Sequence, residues 1–243
     1  MSSHPPAYNR RWICWAAVLG CGSFTLGCAE GPVPELRSLN PWVTKDWNAD
    51  EAYAPTYHRK VQDLADLRNR APSMTPEEHQ RFSAEIVAEL QKEEAVVMRT
   101  ELVKTLATLP TEQSRAAIQM AANDADAYVR RQACLALAKN PDATSLQILG
   151  QVLANDNDTD VRLVAAKSLG QFRDPQATQA LAVAIDDNNP ALQHTAMDSL
   201  KSVTGKDYGY SASAWREYVQ GGTPTPPPAP SLAQQFKENW WWW

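Results

Sequence analysis

The stretches "DADAYVRRQACLALAKNPD" (124–142) and "NDTDVRLVAAKSLGQFRDP" (157–175) are near-copies of each other, and a sequence that repeats at a fixed period restricts the fold more than any single motif does. Four copies align as "VMRTELVKTLA" from Val97, "VRRQACLALAK" from Val129, "VRLVAAKSLGQ" from Val161 and "LQHTAMDSLKS" from Leu192. Their reference positions, Arg99, Arg130, Arg162 and Gln193, are spaced 31, 32 and 31 residues apart. Around each, offsets of −1, +3 and +7 carry apolar residues: Met98, Leu102 and Leu106 in the first copy, Val129, Ala133 and Leu137 in the second, and likewise to Leu192, Ala196 and Leu200. Those offsets follow the 3.6-residue period of a helix that buries one stripe.

The helix starts are also written into the repeat. Four residues before three of the reference positions stand Asp126, Asp158 and Asn189, side chains that cap the free amides of a first turn, and Pro190 follows at a first helical position. The segments between the copies place Ile118, Leu149 and Leu181 at matching offsets, so each unit reads as helix, turn, helix. A two-helix unit cannot bury its stripe alone. Stacking repairs this, and the expected fold is all-α: an α-solenoid of helical pairs closed by helical caps.

The pattern D-x-D-x-x-V-R-x-x-A-x-x-A-L, written here as "DADAYVRRQACLAL" and "DNDTDVRLVAAKSL", resembles the short HEAT-like repeats of bacterial proteins, including the type named for phycobilisome lyases. The match is clear in two copies, weaker in "VVMRTELVKTLA" and degraded in "PALQHTAMDSL", where Gln193 replaces the arginine. The resemblance implies that the second helix of each repeat lines a concave face. It also implies that Arg99, Arg130 and Arg162 tie neighbouring repeats together through aspartates such as Asp126 and Asp158; an anion-binding arginine row is the competing reading. On the concave face, one and five residues after each reference position, stand Thr100 and Lys104, Arg131 and Leu135, Leu163 and Lys167, and His194 and Asp198. These eight residues are the candidate partner-binding row, against the plainer reading of a solvated face.

Before the repeats, Arg10 and Arg11 precede "WICWAAVLGCGSFTLGCA", 18 residues without a charge, which reads as an export signal or as a retained anchor. "TLGC" at Thr25–Cys28 resembles a lipobox, which makes Cys28 the expected lipidation site; "VLGC" offers Cys21 as the alternative, with a shorter apolar run. The expected organisation is a signal at 1–27, an anchored segment and helical cap at 28–93, repeats at 94–203, a closing cap at 204–220, a Pro-rich linker at 221–230 and a tail at 231–243. Thr75, Pro76 and Glu78 form a capping box within the front cap. In the closing cap a glycine stop at Gly205 precedes a helix carrying Trp215. In the tail, Phe236 and Trp240, with Trp241, Trp242 and Trp243, await a cover, which is a membrane interface, a groove of the repeats or of a partner, or none if the tail is disordered.

Composition excludes more than it assigns. A net charge of −5 argues against a phosphate-neutralising surface, so nucleic acid is not an expected partner. His58, His79 and His194 are isolated, no cysteine pair has zinc spacing, and neither a nucleophile elbow nor a phosphate loop occurs; no metal and no cofactor is expected. Asp156, Asp158 and Asp160 lack the glycine and glutamate of a calcium loop, and helix capping accounts for them better. Two functions follow: a non-catalytic, lipid-anchored scaffold of the cell envelope that binds an unidentified protein or peptide, or, by the resemblance alone, a lyase-like or cofactor-chaperone subunit.

Overall fold

The structure, a computed structural model, describes residues 56–226. The chain divides into two compact units, Met1–Lys60 and Val61–Trp243, and of the first only residues 56–60 are described. Cys21, Cys28 and the tail from Phe236 to Trp243 lie outside the described residues.

Ten α-helices and no strand make up the described residues. They are α1 (Tyr57–Arg70), α2 (Pro76–Leu90), α3 (Val96–Leu106), α4 (Glu112–Ala121), α5 (Ala127–Lys139), α6 (Ala143–Asn155), α7 (Thr159–Leu169), α8 (Pro175–Ala182), α9 (Pro190–Thr204) and α10 (Ala212–Val219). The second helices α3, α5, α7 and α9 stack one on the next along the molecule, and α2, α4, α6 and α8 lie behind them. This is an α-solenoid. α2, assigned from sequence to the front cap, packs on both α3 and α4 as a first helix of a repeat does.

Local chemistry explains why the helices begin where they do. Asp126, Asp158 and Asn189 accept hydrogen bonds from the amides of Tyr128, Val161 and Ala191. Asp142 and Asp174 do the same for α6 and α8. At α2 the capping box is complete: Glu78 N–H donates to Thr75 Oγ1 at 3.2 Å, and Thr75 N–H donates to Glu78 Oε2 at 2.8 Å. α9 stops at Gly205, whose φ of +69° only a residue without Cβ adopts readily.

Packing follows the periodic stripe. None of Met98, Leu102, Leu106, Val129, Ala133, Leu137, Val161, Ala165, Leu169, Leu192, Ala196 and Leu200 is more than 2% exposed. A further buried row lies at offset +6, where Thr105, Ala136, Ser168 and Ser199 let consecutive second helices approach closely. A Cβ at Gly170, at the end of α7, would meet Ser199 Cα at 3.1 Å, so α7 and α9 touch there almost backbone to backbone.

The first helices stack less evenly. α2 packs on α4, joined by a buried hydroxyl trio in which Thr111 Oγ1 donates to Ser83 Oγ at 2.8 Å and Ser114 Oγ donates to Ser83 Oγ at 2.9 Å. α6 meets α8 across Gly150 and Ala180. Between α4 and α6 contact is slight, and Arg115 reaches Asp142 there at 3.5 Å. The continuous spine is therefore the row of second helices.

Candidate functional site

Each reference arginine faces the loop of the following repeat. Arg99 donates from Nε and Nη2 to Asp124 at 3.0 and 2.8 Å, and Arg130 donates to Asp156 at 2.7 and 2.8 Å. Arg162 donates to Asp187 at 2.5 Å and to the Leu153 carbonyl at 2.8 Å. The same arginines hold their own loops, since Arg99 reaches Glu94 O at 2.6 Å and Arg130 reaches Asp124 O at 2.9 Å. Gln193, at the arginine's place in the last repeat, keeps this second function by donating to Asp187 O at 2.7 Å.

The carboxylates that receive the arginines are Asp124, Asp156 and Asp187, two residues before the expected Asp126 and Asp158. The physical reason is division of labour. Asp126 and Asp158 spend their oxygens on helix amides, while Asp124, Asp156 and Asp187 each also accept the amide two residues on, at 2.8 Å. Burial by itself would raise the Asp124 and Asp156 carboxyls; the hydrogen bonds from Arg99 and Arg130 and from the backbone outweigh it and hold both below the ordinary carboxylate range. For Asp187 the Asn189 amide is the chief cause of the lowering, followed by Arg162. With their guanidiniums engaged in this way, the three arginines form a bridging ladder and not an open anion-binding row.

Beyond the ladder, the second helices turn one face to solvent. Thr100 and Leu163 are half-buried there; the Thr100 hydroxyl donates to Val96 O at 2.8 Å. Lys104 stands 3.3 Å from Glu101, which Arg68 also meets at 2.9 Å. Arg131 lies 5.5 Å from the centre of the Tyr128 ring. Leu135 is 44% exposed and Lys167 is exposed. His194 and Asp198 differ from the other six because the closing cap engages them: His194 stacks on Tyr210 at 4.1 Å, its Nδ1 is 3.3 Å from Asp198, and Tyr210 OH donates to Asp198 at 3.1 Å. That last bond pushes the Tyr210 phenol up. Two exposed apolar residues on the same helices, Val97 (61%) and Tyr128 (66%), lie outside the candidate row; they sit two residues before the reference position, close to the helix starts.

Catalytic chemistry has few materials here. Cys134 is fully buried, and burial pushes its thiol up to about 12, which keeps it in the unreactive form. His79 is bonded to the Ala71 carbonyl at 2.9 Å. Among the described residues no group of three or more His, Cys, Asp or Glu side chains could hold a metal ion.

A stack of helical pairs joined by an arginine–aspartate ladder, with a row of second helices turned to solvent, defines an α-solenoid of the kind that generally serves protein interaction. The chain matches the family of HEAT repeats over residues 83–169 and again over 146–212, more than half of its length. It belongs to the HEAT-repeat family. No curated protein matches it.

Proposed function

We propose that this protein is a non-catalytic scaffold, anchored by lipid to a bacterial membrane and facing the periplasm or exterior, that binds a protein or peptide on the outward face of α3, α5, α7 and α9. The observation that carries the binding part is the separation of tasks among the basic residues: Arg99, Arg130 and Arg162 are tied into the ladder, whereas among the described residues Arg131, which lies beside the exposed Tyr128 ring, and exposed Lys167 have no carboxylate partner. Reversing both free charges, Arg131→Glu with Lys167→Glu, is expected to reduce recovery of the partner about tenfold while the unfolding temperature stays within a few degrees. Co-purification after crosslinking in the native envelope reads the first quantity and circular dichroism the second. A cooperative loss of folding contradicts the assignment.

The anchoring part rests on Arg10 and Arg11, the uncharged run and the "TLGC" at Thr25–Cys28. No described helix is long and apolar enough to cross a membrane. Cys28→Ala is expected to abolish incorporation of a labelled fatty acid and to move the protein out of the membrane fraction. Labelling that persists in Cys28→Ala and vanishes in Cys21→Ala transfers the anchor to Cys21. The four terminal tryptophans, with Phe236, give the chain a second means of lying on the same bilayer.

A further inference from the structure

Charged residues make up 21% of the chain, yet none lines the shallow groove between α6 and α8. Its floor lies where the two helices come close: a Cβ at Gly150 would meet the Ala180 Cβ at 3.3 Å. Exposed Gln147 and Gln151 on α6 and exposed Gln176 and Gln179 on α8 flank it, and Val183, 55% exposed, stands just past the end of α8. Such a surface offers flat apolar area with amide oxygens beside it. An indole uses both, the first for its ring and the second for its N–H.

The chain itself brings indoles to this place. α10 packs on α8, and Arg216 of α10 donates from Nε to Asp186 at 3.2 Å, three residues beyond Val183. After α10 the backbone reverses at Gly221, φ +87°, where Gly222 N–H donates to Glu217 O at 2.8 Å, and Pro224 is buried. Residues 227–239, thirteen in all, separate Pro226 from Trp240. Extended, they span up to about 40 Å, against a distance of about 8–10 Å between packed helices. The tryptophans at 240–243 therefore have the groove within reach. Tethering holds them near it at roughly millimolar effective concentration, enough to occupy a shallow contact.

We propose that the groove between α6 and α8 seats the tryptophan tail of the same chain, with indole rings against Gly150, Ala180 and Val183 and indole N–H groups donating to the side-chain oxygens of Gln147 and Gln179. Off the membrane an exposed patch of four tryptophans would promote association of copies, and this seat covers it. The groove lies on the first helices, away from the docking face, and competes with the bilayer for the tail.

The test is photo-crosslinking of the full chain in lipid nanodiscs, with the crosslinking residue at Gln179 or, as a control, at exposed Met120 on α4, in a mixture of unlabelled and isotope-labelled chains. Mass spectrometry of the linked peptides is expected to join position 179 to residues 231–243 of the same chain, at least about fivefold more often than position 120. Charging the groove with Gln147→Glu and Gln151→Glu is expected to lower that yield about fivefold while the unfolding temperature stays within a few degrees. No link from position 179, equal links from position 120, links that join the two isotopes, or indifference to the added charges overturns the inference. A link within one chain adds no mass, which tells it apart from a partner adduct. Quenching of tryptophan fluorescence by brominated lipid judges the bilayer contact separately. Quenching without the link removes the groove seat, and the link without quenching removes only the bilayer contact.

Discussion

Trp215→Ala is expected to lower the unfolding free energy by about 3–5 kcal/mol, the range for emptying a fully buried aromatic site. Trp215 is 0% exposed, and its indole Nε1–H donates to Gly209 O at 2.8 Å. Its ring meets Tyr208 edge-on at 5.0 Å and Tyr218 at 6.0 Å. Through these contacts α10 covers the ends of α8 and α9. In a stacked array the terminal repeat has a neighbour on one side only, so the cap supplies what a further repeat would have supplied. The loss is therefore expected to be local before it is global. Hydrogen exchange in α9 and α10 accelerates strongly, while α3 and α5 keep their protection. Trp215→Phe retains the rings' packing but strands the Gly209 carbonyl, and is expected to cost about 1–2 kcal/mol. Uniform acceleration across all helices in Trp215→Ala would show a single cooperative unit with no separate cap.

Arg130→Met comes next in size, at about 3 kcal/mol, because it leaves a buried carboxylate without its counter-charge. The side chains of Arg130 and Asp156 are 16% and 7% exposed, and the pair sits in the middle of the ladder with Arg99 and Arg162 on either side. Arg130→Lys is expected to recover little, since a single ammonium cannot bond both Asp156 oxygens and also hold the Asp124 carbonyl. The pH dependence carries a sign. Asp124, Asp156 and Asp187 have folded-state values below the unfolded carboxylate value of about 3.9, so their stabilisation is fully present above that value and is lost as pH falls through the folded values. Stability of the wild type therefore declines on acidification below about pH 4. In Arg130→Met burial at Asp156 is opposed only by the Asp158 amide and the charge of Arg162, its carboxyl rises, and the decline is shallower. Denaturant titrations across that range measure both slopes, and equal slopes would mean that the Arg130–Asp156 bond does not form in solution.

What could be read in the sequence was what is local. Helix starts at Asp126, Asp158, Asn189 and Thr75 depend on residues within four positions, and the stripe at −1, +3 and +7 depends on helical period alone. The ladder joins residues 25 or 26 positions apart, and there the partner is the aspartate two residues before the one that caps the helix. A signal did exist. Six residues before each reference position stands an acid in all four copies, Glu93, Asp124, Asp156 and Asp187, a regularity that capping at −4 does not explain. The small residues at +6 form a second such signal for the approach of consecutive second helices. The engagement of His194 and Asp198 by Tyr210 had no periodic trace, because the closing cap occurs once and its loop approaches α9 from outside the repeat.

The face of the second helices, and not that of the first, is proposed to receive a partner. Site-specific photo-crosslinking addresses it most directly, with the crosslinking residue placed at Leu135 or Leu163 on α5 and α7, and at Gln147 or Gln179 on the opposite side on α6 and α8, in the full chain within its native cells. Discrete adducts from Leu135 and Leu163 with none from Gln147 and Gln179 are predicted. Adducts confined to Gln147 and Gln179 would contradict the account.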